Sequence, residues 1–248
     1  MSQSQPTRIV VLGGGFAGIY AVRELERLLG RDQQVEITLV NKDNFFVFTP
    51  MLHEVAASDL DLTHIVNPIR KFLRHATFFH GDVLEIDLQN KAVVVSHGVE
   101  TGHSHRLDYD HLVLALGAVT NFFGTPGLAE RAFTMKTLGD AIALRNRIID
   151  SLEEGDFECC PDNRRRMLTF VVAGGGFAGV ETVPCNRAKP MRHRHSARHR
   201  DADARVPRSR PAVTGVVPSA AQSHVSAPPH ARGQQQLDTP DAIRIAAA

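Results

Sequence analysis

The sequence predicts an α/β fold built on a doubly wound parallel sheet, and three observations carry that expectation. The hexapeptide GGGFAG occurs twice, at residues 13–18 and 174–179. Each copy directly follows a run rich in β-branched residues, RIVVL at 8–12 and LTFVVA at 168–173. The first copy opens onto a segment of helical periodicity, and a second apolar strand follows within about 35 residues, the length of one βαβ unit.

Taken in order, residues 8–12 are the first strand, ending at the glycines. Over 17–29, Ile19, Val22, Leu25, Leu28 and Leu29 recur at helical spacing with charges on the other face, and Gly30 supplies a stop. Residues 36–40 (EITLV) read as the second strand. The next stretch, NFFVFTPMLHEVAASDLD at 44–61, is apolar but irregular, broken by Pro50 and small residues. Residues 63–73 have helical spacing, against which Pro68 acts in the early turns. Short strands are expected at 77–79, 83–86 and 92–95, with the polar stretch 98–105 as a hairpin tip. LVLAL at 112–116, closed by Gly117, predicts a buried parallel strand. Helical periodicity returns over 137–152, where Leu138, Ile142, Leu144, Ile148, Ile149 and Leu152 form one face. Residues 168–173 are the last expected strand.

The character then changes. Residues 1–182 hold 17 Lys and Arg against 23 Asp and Glu, a formal charge of −6, whereas 183–248 hold 11 against 4, or +7. The later stretch has eight of the thirteen prolines, no aromatic residue and one leucine, Leu237. Such a composition buries too little apolar surface to offset ordering entropy. The expectation is a disordered tail over 183–248, or the product of a shifted reading frame, with the close of the second unit missing.

The spacing of the glycines has a mechanical cause. In G-x-G-x-x-G the first glycine makes the tight turn out of the strand, the second admits a pyrophosphate to the backbone, and the third lets helix pack on strand. The phosphates then lie on the helix N-terminus, where free N–H groups and the dipole favour an anion. Two copies imply two dinucleotides, typically a flavin and a nicotinamide, in Rossmann-like units. About 20 residues after the first loop an acidic residue is expected on the ribose; that position is Asn41, with Asp43 two residues on. An amide can serve a ribose without charge. The corresponding strand of the second unit falls beyond Thr182, so NAD and NADP are not told apart.

VVLGGGFAG, NFFVFTPMLHEVAASDLD, LVLALGAVTNFFGTPG and RRRMLTFVVAGGGFAGVET together resemble the type II, non-proton-pumping NADH dehydrogenases, members of the wider FAD/NAD(P)-binding pyridine nucleotide-disulfide oxidoreductase superfamily. The resemblance covers about residues 7–182. It implies an FAD-binding domain over 7–160, the truncated start of an NAD(P)H-binding domain over 167–182, and hydride transfer from NADH to flavin and on to a quinone. By position it places Gly13, Gly15 and Gly18 on the FAD pyrophosphate and Asn41 on the adenosine ribose. It sets Val83 at the adenine, Thr49 and Pro50 at the isoalloxazine, and Ala115 to Gly117 beneath the flavin. Gly174, Gly176 and Gly179 would take the NADH pyrophosphate. Glu181 matches the family glutamate near nicotinamide and quinone, thought to assist proton delivery; a carboxylate in a helix's first turn would equally be favoured by the dipole alone.

Other chemistries fit less well. A redox cysteine pair, which disulfide reductases need early in the FAD domain, is absent from 44–57. Cys159 and Cys160 stand in a charged loop and read as exposed thiols. His193, His195 and His199 in RHRHSARHR have mixed spacing, so no metal is expected, and the run lacks the aromatics that stack on bases, so no nucleic acid is expected either. No stretch approaches the ~18 apolar residues of a membrane span, and no signal peptide precedes the first strand. The expected location is cytoplasmic. The resemblance implies a place on the cytoplasmic face of the inner membrane, held by a peripheral segment expected to be missing here. Weak FAD binding and negligible NADH:quinone turnover are expected of the chain itself. The alternatives are another FAD/NAD(P)H reductase with a soluble acceptor such as ferredoxin, or a non-catalytic remnant with a basic tail.

Overall fold

The structure, a computed structural model, describes residues 5–30, 32, 34–97, 102–185, 212–217 and 243–246. In chain order its elements are β1 (Thr7–Leu12), α1 (Phe16–Leu29), β2 (Val35–Asn41), β3 (Phe45–Val47), α2 (Leu52–Ala56), β4 (Val66–Pro68), β5 (Thr77–His80), β6 (Val83–Asp87), β7 (Ala92–His97), β8 (His103–Asp108) and β9 (His111–Leu114). There follow α3 (Leu128–Arg131), β10 (Ala132–Thr134), α4 (Leu138–Phe157), α5 (Pro161–Met167), β11 (Thr169–Ala173), α6 (Phe177–Cys185), β12 (Ala212–Val217) and β13 (Ile243–Ala246). Single 3-10 turns cover Thr49–Met51, Leu62–His64 and Ile69–Lys71.

Two compact units result, one from Met1–Phe48 with Thr63–Val119, the other from Thr49–Leu62 with Thr120–Ala248. The division therefore differs from the expected break between 160 and 167. Its cause is local: Leu52, Val55 and Ala56 of α2 are buried, and α2 packs against α4 and α6. That short helix takes the 49–62 segment into the second unit.

The first unit is a parallel sheet in the order β5-β2-β1-β9. Its central strand shows why RIVVL is apolar without alternation. Ile9 and Val11 face a cluster with Ile19 and Val22 of α1, Ile37, Leu39, Phe46, Ile69 and Phe78. Val10 and Leu12 face the other way, onto Val40, Val93, Val95 and Tyr109. A strand covered on both faces reads as a continuous hydrophobic run. The second cover is the antiparallel meander β6-β7-β8, whose tip lies partly outside the described residues.

Two expectations fail in this unit. The helix expected over 63–73 is instead β4 between two 3-10 turns. Pro68 has no N–H to give a helix, and it drives Asn67 extended; Asn67 then pairs with Phe46 in the β3–β4 ribbon. Ile65 and Ile69, four positions apart, are both buried from this irregular path. The strand expected at 112–116 ends at Leu114 and lies at the edge of its sheet, so Leu114 and Leu116 are exposed rather than buried.

In the second unit α4 begins where expected, because a capping box fixes it. The Asp140 N–H donates to Thr137 Oγ1 at 3.1 Å, and Asp140 Oδ2 accepts the Thr137 and Lys136 N–H groups, both at 2.9 Å. Burial alone would raise the Asp140 pKa, but those backbone donors together hold it below the usual aspartate value. The helix continues to Phe157, and the supposed loop after Cys160 contains α5, opened by Pro161 in its first turn. The sheet runs β10-β13-β11-β12, with every pairing parallel. Its strands β12 (AVTGVV) and β13 (IRIA) lie in the stretch where no strand was expected, because a composition averaged over 66 residues hides two short β-branched runs. Residues 186–211, 218–242 and 247–248, with His193, His195 and His199, lie outside the described residues.

Candidate functional site

Each glycine hexapeptide forms the turn between a parallel strand and a helix, β1 to α1 and β11 to α6. The first glycine of each turn adopts a positive φ. Gly13 has φ +106° and Gly174 has φ +121°, a conformation open to glycine and strained for other residues. Gly13, Gly18, Gly174 and Gly179 are buried, and Gly15 and Gly176 are exposed. A methyl group added at Gly15 or at Gly176 would meet nothing within 4 Å. The middle glycine of each loop thus presents bare backbone to open space.

The N-cap of α1 is Gly15, with no side-chain cap, and neither α1 nor α6 has an acidic residue in its first turn. The positive end of each helix dipole is therefore not satisfied by a carboxylate of the helix itself. These are features that a dinucleotide pyrophosphate requires, and the residues present fit one at each loop.

Asn41, at the end of β2, is tied to the first loop. Its Oδ1 accepts the Gly14 N–H at 2.8 Å, and its Nδ2 donates to the Asp43 carbonyl at 2.9 Å. Its own carbonyl accepts the Gly81 N–H at 3.0 Å. The side chain therefore fixes the position of the glycine turn, whatever it offers a ribose. Replacing Asn41 with Ala leaves a part-buried N–H without its acceptor, at a cost of about 1–2 kcal/mol. Asn41→Asp, which keeps an acceptor, is expected to cost less. Urea unfolding of both variants checks this, and equal midpoints for Asn41→Ala and wild type would contradict it.

The remaining residues singled out in the sequence are placed as follows. Val83 opens β6, half-buried against the meander side of the sheet and paired with Val95. The Ala115 N–H donates to the Leu12 carbonyl at 2.8 Å, and Gly117 turns away with φ +77°. Thr49 and Pro50 are exposed and belong to the second unit, so they are grouped by the fold with α2 rather than with Gly13, Asn41 and Ala115. Cys159 and Cys160 are both exposed. Among the described residues, no helix is long and apolar enough to cross a membrane.

Glu181 is the fifth residue of α6, so the first-turn dipole argument does not apply to it. One of its oxygens lies 3.5 Å from Nδ1 of His53 on α2. Sequence reasoning passed over His53, and also Phe16. The Phe16 ring packs edge-on against Phe46 and Phe48, with centroids 5.0 and 5.5 Å apart. Its counterpart Phe177, in an identical hexapeptide, is 90% exposed. The FF and VF spacing of 44–48 was the available signal for the aromatic cluster; nothing local announced the His53 contact.

Over residues 7–184 the chain matches a family described as pyridine nucleotide-disulphide oxidoreductase. The type II NADH:quinone oxidoreductase Ndh of Mycobacterium tuberculosis is 34% identical over 189 residues, covering 72% of this chain and 39% of that protein. The mitochondrial external alternative NAD(P)H-ubiquinone oxidoreductase B1 of Arabidopsis thaliana is 35% identical over 182 residues, with coverages of 70% and 31%. Among solved structures, NDH2 from Plasmodium falciparum in complex with NADH aligns at 26% identity and a TM-score of 0.64, over 72% of this chain and 36% of that one. The sulfide:quinone oxidoreductase of Aquifex aeolicus shares the fold, at 24% identity and a TM-score of 0.53, over 68% and 34%. The chain therefore spans well under half the length of the relatives it matches.

Proposed function

Since this chain belongs to the pyridine nucleotide-disulphide oxidoreductase family, we propose that it is the dinucleotide-binding part of an FAD-dependent NADH:quinone oxidoreductase of the type II, non-electrogenic kind. One observation carries the reading: two glycine turns, each with a positive-φ first glycine, an open middle glycine and a helix start free of acidic residues. FAD would lie on Gly13, Gly15 and Gly18, with Asn41 holding the turn beside its ribose. NADH would lie on Gly174, Gly176 and Gly179. FAD supplies the redox chemistry when bound; the chain's own residues bind, orient and exclude side reactions. Thr49, Pro50, Val83, Ala115 and Gly117 are proposed to complete the flavin contacts, and Glu181 to stand by the nicotinamide and the quinone. The net reaction, NADH plus a proton plus quinone giving NAD⁺ and quinol, calls for one proton beyond the hydride, and a half-exposed carboxylate suits that delivery. Action at the cytoplasmic face of a membrane belongs to the same proposal.

The test is titration of the purified chain with FAD, read by quenching of flavin fluorescence, followed by NADH. Weak but saturable quenching is expected, and Gly15→Asp should abolish it by setting a carboxylate against the pyrophosphate. Bleaching of the flavin bands by NADH would place both cofactors on the chain. Quenching that is not saturable, or that Gly15→Asp leaves intact, would overturn the first assignment. NADH oxidation with a soluble quinone against a ferredoxin separates the acceptor classes, with turnover by this chain expected to be negligible beside that of its longer relatives.

A further inference from the structure

We infer that His53 is the positioning partner of Glu181, its imidazole selecting one orientation of a carboxylate that would otherwise be free to turn. The inference rests on the reading of Glu181 as the carboxylate beside the nicotinamide. Its basis is a contact between two segments far apart in sequence but within one compact unit. Nδ1 of His53, on α2, lies 3.5 Å from Glu181 Oε2, on α6, and Nε2 lies 4.0 Å from Glu54 Oε1 on its own helix. Each ring nitrogen thus faces one carboxylate. The closer one belongs to the helix that the second glycine loop opens.

The two side chains differ in their freedom. His53 is only 14% exposed at its side chain, whereas Glu181 is 48% exposed. A mostly buried imidazole gains more from polar partners, because water can replace them only in part. A half-exposed glutamate gains less, and by itself samples several rotamers. The restraint therefore runs from the ring to the carboxylate. At 3.5 Å the contact is in ion-pair range and slightly long for a hydrogen bond, as contacts in ligand-free catalytic sites commonly are.

The contact is not what holds α2 in place. Leu52, Val55 and Ala56 are buried and do that, and half-exposed ion pairs shift a folding equilibrium by less than about fivefold. Placement of a reacting group is far more sensitive, since a displacement of about 1 Å can cost about a hundredfold in rate. A residue that contributes little to folding and directs a carboxylate at a dinucleotide end is a positioning residue. FTPMLHEVA and GGGFAGVET, which lie in two of the stretches that carry the family resemblance, meet through it.

Side-chain NMR of the isotopically labelled chain tests the inference. Three-bond couplings of Glu181 should report one dominant χ1 rotamer in wild type and in His53→Gln, which keeps a donor, and rotamer averaging in His53→Ala. Thermal midpoints should be nearly the same in all three, which separates positioning from folding. From the other side, Glu181→Gln should move the His53 Nδ1 resonance, and by more than Glu54→Gln does. Equal averaging in wild type and His53→Ala, or an Nδ1 resonance indifferent to Glu181→Gln, would overturn the pair. With FAD bound and reduced, a rate of flavin reoxidation by a soluble quinone unchanged in Glu181→Gln would leave the pair intact and overturn its role, by failure of the reading beneath it.

Discussion

Gly18→Ala should unfold the first unit or strip it of FAD, a larger loss than a methyl group at Gly13 or Gly15 would bring. A Cβ at Gly18 would drive into the Gly13 carbonyl oxygen and reach the Ala115 Cβ at 3.5 Å. The obstacle is backbone, in the turn that joins β1 to α1, and it cannot rotate aside. Overpacking typically costs about 1–3 kcal/mol where side chains can adjust; here the cost should sit at or above the top of that range. Against a total stability of about 5–15 kcal/mol, that is a large fraction. Gly13→Ala should be nearly as severe, because Gly13 has φ +106° and its Cβ would collide with the Ala115 carbonyl. Gly15→Ala is the discriminating control. Its methyl group meets nothing within 4 Å, so the fold should lose about 1 kcal/mol or less while FAD binding weakens. Urea unfolding and FAD titration of the three variants check the pattern. A Gly18→Ala midpoint equal to that of wild type would show that helix and strand can separate there, contrary to the packing.

That pattern was legible in advance because G-x-G-x-x-G states a geometry. The glycine positions fix which Cβ atoms must be missing, and the strand before each copy fixes the direction. The continuous run RIVVL was legible for a similar reason, since two covered faces leave no room for alternation. What escaped was whatever depended on partners distant in sequence. Ile65 and Ile69 are spaced like one face of a helix, and only Pro68 with its pairing to β3 makes them part of an irregular path. Leu114 and Leu116 look like core residues until the strand is found at a sheet edge. The AVTGVV and IRIA runs were lost in an average taken over a long polar stretch. At the site itself, the residue types of Asn41 and Glu181 were readable, but their partners were not. Asn41 reaches Gly14 across 27 positions, and the His53 contact forms only because a five-residue helix docks on α6.

Glu26 is the clearest case of a residue that periodicity misplaced, and its replacement should cost on the same scale as those of Gly13 and Gly18. The helical pattern assigns it to the solvent face of α1, yet it is only 7% exposed. Its Oε1 accepts the backbone N–H groups of Arg74, His75 and Ala76 at 2.8, 2.7 and 2.8 Å. Burial pushes the Glu26 pKa up, but those three donors together outweigh it and hold the carboxyl below the usual glutamate value. Glu26→Ala would leave three partly buried N–H groups facing a cavity, a loss of about 3–5 kcal/mol. Glu26→Gln keeps a neutral acceptor of the same shape and should cost about 1–2 kcal/mol. The pH dependence has a definite sign. The folded-state pKa is depressed, so the folded chain binds fewer protons than the unfolded one below the ordinary value of 4.5. The stabilisation is complete above that value and is lost as the pH falls through it towards the folded pKa. Urea midpoints measured at about pH 6 and about pH 4 should converge in Glu26→Gln relative to wild type. An acid slope of the first unit unaltered by Glu26→Gln would mean that the charge on Glu26 does not hold the 74–76 turn, and that its hydrogen bonds alone suffice.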